Sequence, residues 1–188
     1  MDEIEKIDRF ISGSLSEKRY NHCLRVAETA QWLCLKYGED AEWGALAGLA
    51  HDMCKELGED AIVSLALRDG KGMTEMERTK PVLMHGRAAA IQVKEDFGIE
   101  APAVLEAVRE HTVGRPGMGN LAKILYVADK IEPARPQVTE EYLKKLEGLD
   151  LDDLLLYVVT ENIAFLEQKG KTVAPASREL QNSLKQRK

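Results

Sequence analysis

Apolar residues recur at helical spacing along nearly the whole chain, and no stretch alternates apolar with polar residues for long. Leu24, Ala27, Ala30, Leu33 and Leu35 form one such stripe. A chain patterned this way buries its stripes by packing helix on helix, so the expected fold class is all-α. Capping residues divide it. Ser16 is placed to cap a helix over 17–37, ended by Gly38. Asp40 caps the next, which should run through Cys54 to residue 57 and stop at Gly58. A shorter helix is expected over 60–67, followed by the turn Asp69-Gly70-Lys71-Gly72. Pro81 opens a helix to 97, stopped by Gly98, and Pro102 opens one to about 111. Three glycines and Pro116 make 111–119 a loop. Asn120 is placed to cap a helix to about 132, beyond which Pro133 and Pro136 break the chain. Segments 139–146 and 150–169 are the last main helices, and the polar tail from Arg178 frays unless it docks. Trp32 and Trp43 are expected in the core, and Leu154 to Phe165 either buries fully or forms a homodimer face.

Composition excludes several function classes. The net charge is −6 and aromatics are 5% of the chain. That disfavours phosphate polymers and base-stacking nucleic-acid modules, so no nucleic-acid partner is expected. No window reaches the ~18 consecutive apolar residues of a membrane helix, and the acidic N-terminus is unlike a signal peptide. Cys23, Cys34 and Cys54 form no C-x-x-C and cannot all pair; they read as reduced thiols of a cytoplasmic protein.

The chain has four histidines, His22, His51, His85 and His111, each on a different expected helix or at its end. Asp52 follows His51 directly, and Asp129 lies on the helix before Pro133. A lone histidine on an apolar face is ordinarily a satisfied core group. Four unrelated ones would not fall into the order His, His-Asp, His, His, Asp. Imidazole nitrogen and carboxylate oxygen suit iron, manganese, cobalt or zinc. His51 and Asp52 diverge by about 100° on a helix, so both reach one ion only where other helices converge on their junction. His22 and Asp129 would complete that junction and leave positions open for water and substrate.

These residues resemble the HD-domain phosphohydrolases. The stretches NHCLRVAETA, LAGLAHDMCKEL, MHGRAAA and EHTVGRPGMGNLAKILYVADKIEPAR further resemble the YqeK family, bacterial HD proteins that cleave diadenosine tetraphosphate symmetrically to two ADP. The resemblance implies an N-terminal helix over 1–15, a single HD-domain helical bundle over 16–135, and a C-terminal helical extension with a lid over 136–188. It implies a bound divalent metal, most often iron, held by His22, His51, Asp52 and Asp129, with His22 also against the nucleotide. His85, His111, Thr112 and Arg135 match positions that meet phosphates, and a second metal at His85 and His111, bridged by Asp52, is a variant. The lid would be Thr172, Val173, Ala174, Pro175, Ala176 and Ser177. Ala174 and Gln181 depart from the family's usual His and Arg.

Lys55 shares a helical face with His51 and Asp52, and is grouped with them as catalytic, at a phosphate or the leaving oxygen. Arg115 is expected as a cation over the phosphates. Arg25 reads as an ion pair, Glu132 as a support for Asp129 or a solvated helix end, and Lys130 as diverging by about 100° from Asp129 or taking an ion-pair role. Cys54, three residues after His51, reads as a buried thiol rather than a ligand. The expected reaction is in-line attack by a metal-activated water on an inner phosphorus, with a neutral His85 or His111 donating to a phosphate or leaving oxygen. The competing readings are a nucleotide phosphomonoesterase and a nucleotide-sensing module without turnover.

Overall fold

Among the described residues, a side chain accepts from free backbone N–H groups at the N-terminus of six of the eleven α-helices. In the computed structural model, which describes residues 2–187, α1 spans Glu3–Ser14 behind an Asp2 cap. α2 spans Glu17–Tyr37, between the Ser16 cap and Gly38 at φ 74°. α3 spans Ala41–Ala50, with Asp40 accepting from the Glu42 and Trp43 amides.

The helix expected to reach 57 therefore stops at Ala50. Beyond it the chain makes successive tight turns: Met53 N–H donates to Ala50 O at 3.1 Å, Lys55 N–H to Asp52 O at 2.9 Å, and Leu57 N–H to Cys54 O at 3.3 Å. Glu56, in this segment, accepts from both the amide and the hydroxyl of Ser16 at 2.7 Å, which ties the turns to the start of α2.

α4 is Glu59–Ala66, continued by a 3₁₀ turn over Leu67–Asp69. α5, Glu75–Thr79, has no counterpart in the expected pattern; it stands on a capping box between Thr74 and Glu77. Pro81 opens a 3₁₀ turn, Pro81–Met84, and α6 proper is His85–Phe97. α7 is Pro102–Glu110 and α8 is Asn120–Ile131. Asn120 is the first helical residue rather than the cap, and its side chain donates to Glu39 at 2.8 Å. α9, Glu140–Leu146, α10, Leu151–Gln168, and α11, Pro175–Lys185, complete an all-α fold without strands among the described residues.

α8 is the hub, packed against α2, α3, α7 and α10. Its Ile124, Leu125, Tyr126, Val127 and Ala128 are fully buried, and each large apolar side chain so removed from water contributes roughly 1.5–3 kcal/mol. The tail docks through Leu180 and Leu184. Within 154–165, five apolar side chains are buried, but Phe165 is 51% exposed. Trp32 and Trp43 are not core residues: they are 54% and 43% exposed, and Leu35 is 71% exposed. The α2–α3 contact uses Ala27, Ala30, Cys34, Gly44 and Gly48, and brings the helices too close to admit an indole. No described helix is long and apolar enough to cross a membrane.

Arg87 of α6 anchors the segment after α4. It donates to the Asp69 carboxylate at 2.9 and 2.8 Å, to Glu77 at 3.1 Å, and to the carbonyls of Gly72 and Lys71 at 3.1 Å. Burial would raise the Asp69 carboxyl, but Arg87 and the Lys71 amide outweigh it and hold the group below its usual value. Arg87→Met is expected to lower stability at pH 7 by about 2–4 kcal/mol, because a half-enclosed pair of carboxylates loses its cation. A depressed carboxyl stabilises the fold above its unfolded pKa, near 4, and loses that contribution as pH falls through its folded value. The gap between the two proteins should therefore narrow in acid. Urea unfolding at pH 7 and in acid checks both; equal midpoints at pH 7 would reject the anchor.

Candidate active site

Each histidine sits where a helix begins or ends, or faces one that does. His22 projects from the first half of α2, and His51 follows the last residue of α3. His85 opens α6, and His111 follows α7. Asp129 lies in the last turn of α8. All four rings and Asp52 are buried.

One device orients three of the rings. Nδ1 of His51, His85 and His111 faces the carbonyl three residues earlier: Gly48 at 2.6 Å, Val82 at 2.6 Å and Val108 at 2.7 Å. His22 Nδ1 faces Glu132 Oε1 at 3.2 Å. These oxygens only accept, so Nδ1 carries a proton, and in a neutral ring Nε2 then presents its lone pair. Burial pushes the His51 pKa down to about 3, which keeps that ring neutral at pH 7.

The four Nε2 atoms converge as two pairs, His22 with His51 at 3.3 Å and His85 with His111 at 3.0 Å. Asp52 stands between them. Its Oδ1 is 3.0 Å from His85 Nε2 and 3.6 Å from His111 Nε2. Its Oδ2 is 3.6 Å from His51 Nε2 and 3.8 Å from His22 Nε2. Asp129 Oδ1 is 3.1 Å from His22 Nε2 and 3.9 Å from His51 Nε2. The tight turns after Ala50 let His51 and Asp52 face one centre although they are adjacent.

This donor set fits a divalent cation. Imidazole nitrogens and carboxylate oxygens from five elements converge here, the donor types that hold a divalent cation. Two groups have ligand atoms within 4.8 Å of one another: His22, His51 and Asp129, and His51, Asp52 and His111. Burial opposes ionisation of Asp52 and Asp129, yet both carboxyls lie well below the usual range. At Asp129 the neighbouring Lys130 ammonium leads the groups that outweigh burial.

Cations ring the cluster. Arg135 Nη2 donates to Asp129 Oδ1 at 2.7 Å, and Lys130 Nζ to Asp129 Oδ2 at 3.1 Å. Lys130 thus takes the ion-pair role, its side chain folding back toward the site. Lys55 Nζ lies 3.3 Å from His85 Nε2. Arg25 donates to Glu132 at 2.6 Å, and Glu132 steadies His22 rather than Asp129. Arg19, not singled out in the sequence, donates to Asp52 Oδ2 at 2.6 Å, and its buried Nε has no partner. It lies one helical turn before His22, the spacing that drew notice to Arg25 on the other side. Five cations stand against Asp52, Asp129 and Glu132, a surplus of two positive charges in a chain of net charge −6.

Thr112 Oγ1 is 3.3 Å from His85 Nε2 and 3.2 Å from His111 Nε2. Arg115 turns elsewhere, paired with Glu106 and Glu110. Cys54 donates to Gln92 and is not a ligand here. A cleft of about 1280 Å³ begins at Thr112, Asp129, Lys130 and Arg135 and reaches Tyr142 and Phe165. Thr172, Ala174 and Ser177 of the expected lid line it; Val173 packs on the core, and Pro175 and Ala176 enter α11. Gln181 faces away, bonded to Thr160 at 3.0 Å. Nothing local in the sequence links Tyr142 of α9 and Phe165 of α10 to the histidines.

The HD domain profile matches residues 19–134, the span that supplies every histidine and both aspartates. The chain belongs to the HD domain family. The symmetrical bis(5′-nucleosyl)-tetraphosphatase of Bacillus subtilis (strain 168) is 32% identical over 165 residues, covering 88% of each chain. The enzyme of the same name from Staphylococcus aureus (strain NCTC 8325 / PS 47) is 35% identical over 174 residues, 90% of this chain and 88% of its own. The crystal structure of a protein from Clostridium acetobutylicum, described as a predicted HD superfamily hydrolase involved in NAD metabolism, superposes with a TM-score of 0.90 at 37% identity, covering 98% of this HD protein and 97% of the other.

Proposed function

We propose that this HD protein hydrolyses diadenosine tetraphosphate symmetrically to two ADP. The observation that carries the reading is the convergence of four imidazole Nε2 atoms on Asp52 and Asp129, with Asp129 opening on a cleft that Lys130 and Arg135 also line. Near-full-length similarity to symmetrical tetraphosphatases supports the substrate. His22, His51, Asp52 and Asp129 would hold one divalent cation, iron by resemblance, and His85 and His111 with Asp52 a second. A cation held there lowers the pKa of water from about 15.7 toward 7 and offsets phosphoryl charge.

The chain's own groups do the rest. Arg135, Arg19 and Lys55 bring positive charge to the phosphates, and phosphoryl transfer depends chiefly on such placement. Thr112 offers a hydroxyl beside His85 and His111. Val82 and Val108 take the Nδ1–H of His85 and His111, so that proton is not offered to the substrate. Attack at an inner phosphorus leaves an ADP-sized half on each side, and the reach of the cleft to Tyr142 and Phe165 leaves room for one nucleoside.

The test is metal analysis of anaerobically purified protein together with product chromatography. ADP as the sole nucleotide product, with divalent metal in the protein, is expected. AMP with ATP, nucleoside with orthophosphate, or tight ADP binding without turnover in iron or manganese would each overturn the proposal.

A further inference from the structure

We propose that Lys130 is a positioning residue that fixes Asp129 as a one-oxygen donor and ties it to His111, holding the two histidine pairs in register. This rests on the metal-site reading above. An ammonium has three N–H donors. Lys130 Nζ uses them on Asp129 Oδ2 at 3.1 Å, the His111 carbonyl at 2.9 Å, and the face of the Tyr126 ring, whose centroid is 3.9 Å away. No donor is left for a phosphate, although the residue lines the cleft.

The consequence for Asp129 is geometric. Lys130 takes Oδ2, which leaves Oδ1 toward His22 Nε2 at 3.1 Å, with Arg135 on its outer side at 2.7 Å. The carboxylate is thereby held from turning both oxygens to one ion. The same ammonium grips the backbone of His111, a member of the other pair, from α8. Gln137 donates to the Lys130 carbonyl at 3.0 Å and steadies the helix end that carries both residues. A guanidinium could not replace it, because a planar fork does not divide three donors among a carboxylate, a carbonyl and a ring in three directions.

The experiment measures Mn²⁺ affinity of nucleotide-free protein by equilibrium dialysis, with melting curves and, at saturating Mn²⁺, kcat and KM for diadenosine tetraphosphate. Lys130→Met is expected to weaken Mn²⁺ binding about 10–100-fold, the usual effect of losing a group that orients a ligand. It should lower kcat with KM within about threefold. Lys130→Arg, which keeps the charge, should show the same loss. If the methionine variant does not fold, Lys130→Gln takes its place, with an intermediate loss expected. Unchanged Mn²⁺ affinity, with or without a raised KM, overturns the proposal, and so does full recovery in the arginine variant. The affinity ratio needs no turnover, so failure of the hydrolase reading would show separately, as wild-type protein that binds Mn²⁺ and cleaves nothing.

Discussion

Asp52→Asn is expected to lower cleavage of diadenosine tetraphosphate by about 10³-fold or more, and to strip most of the metal, while the chain stays folded. Loss of one well-placed group that stabilises developing charge costs roughly 10²–10³ in rate. Asp52 serves more than one partner. Oδ1 faces His85 and His111, Oδ2 faces His51 and His22, and no other carboxylate contacts both pairs among the described residues. Asparagine keeps the size and removes the charge, so both pairs lose their shared anion together. The fold should tolerate this, because Arg19, the strongest partner of Oδ2, is 30% exposed and can turn to water. Metal content per chain, kcat/KM and a melting curve on one preparation separate the effects. More than a tenth of wild-type activity with full metal content would remove Asp52 from the proposed mechanism.

Much of the fold is legible because helix ends are local chemistry. Ser16, Gly38 and Gly98 act within three to five residues of themselves, and the helix ends they mark fall where they indicate. The end of α3 is different. Nothing in His51-Asp52-Met53-Cys54-Lys55 is a helix breaker, and the segment's tie to Ser16 through Glu56 spans forty residues that no local pattern connects. The exposure of Trp32 and Trp43 is likewise a property of two helices together, since the small residues that draw α2 onto α3 leave no room for an indole. At the site, histidine and aspartate are legible through scarcity and order. Long cations are not. Lys130 folds back onto its neighbour despite the 100° between their Cβ directions, and Arg115 is claimed by Glu106 and Glu110. A four-carbon stem reaches many partners, and spacing alone does not select one.

Gly48→Ala should destabilise the protein by more than about 3 kcal/mol and disable the site. In an exposed helix the same change gains roughly 1 kcal/mol. Here the new Cβ would stand 2.4 Å from Ala27 Cα, 2.7 Å from Ala27 N and 3.0 Å from Val26 C. All three atoms are backbone of α2, so no side chain can rotate aside and one helix must retreat. Overpacking against movable side chains costs about 1–3 kcal/mol, and a backbone obstacle sets the cost above that range. The retreat acts directly on the candidate centre. His22 rides on α2, His51 follows α3 and donates to the Gly48 carbonyl, and their Nε2 atoms are 3.3 Å apart. A shift of about 1 Å between catalytic partners can cost on the order of 10²-fold in rate. Gly13→Ala is the control, since its Cβ meets nothing within 4 Å in α1 and should stabilise the chain slightly. Urea midpoints for the two variants, beside Mn²⁺ affinity, decide the matter: a Gly48→Ala midpoint equal to wild type would mean that the approach of α2 to α3 does not hold His22 against His51.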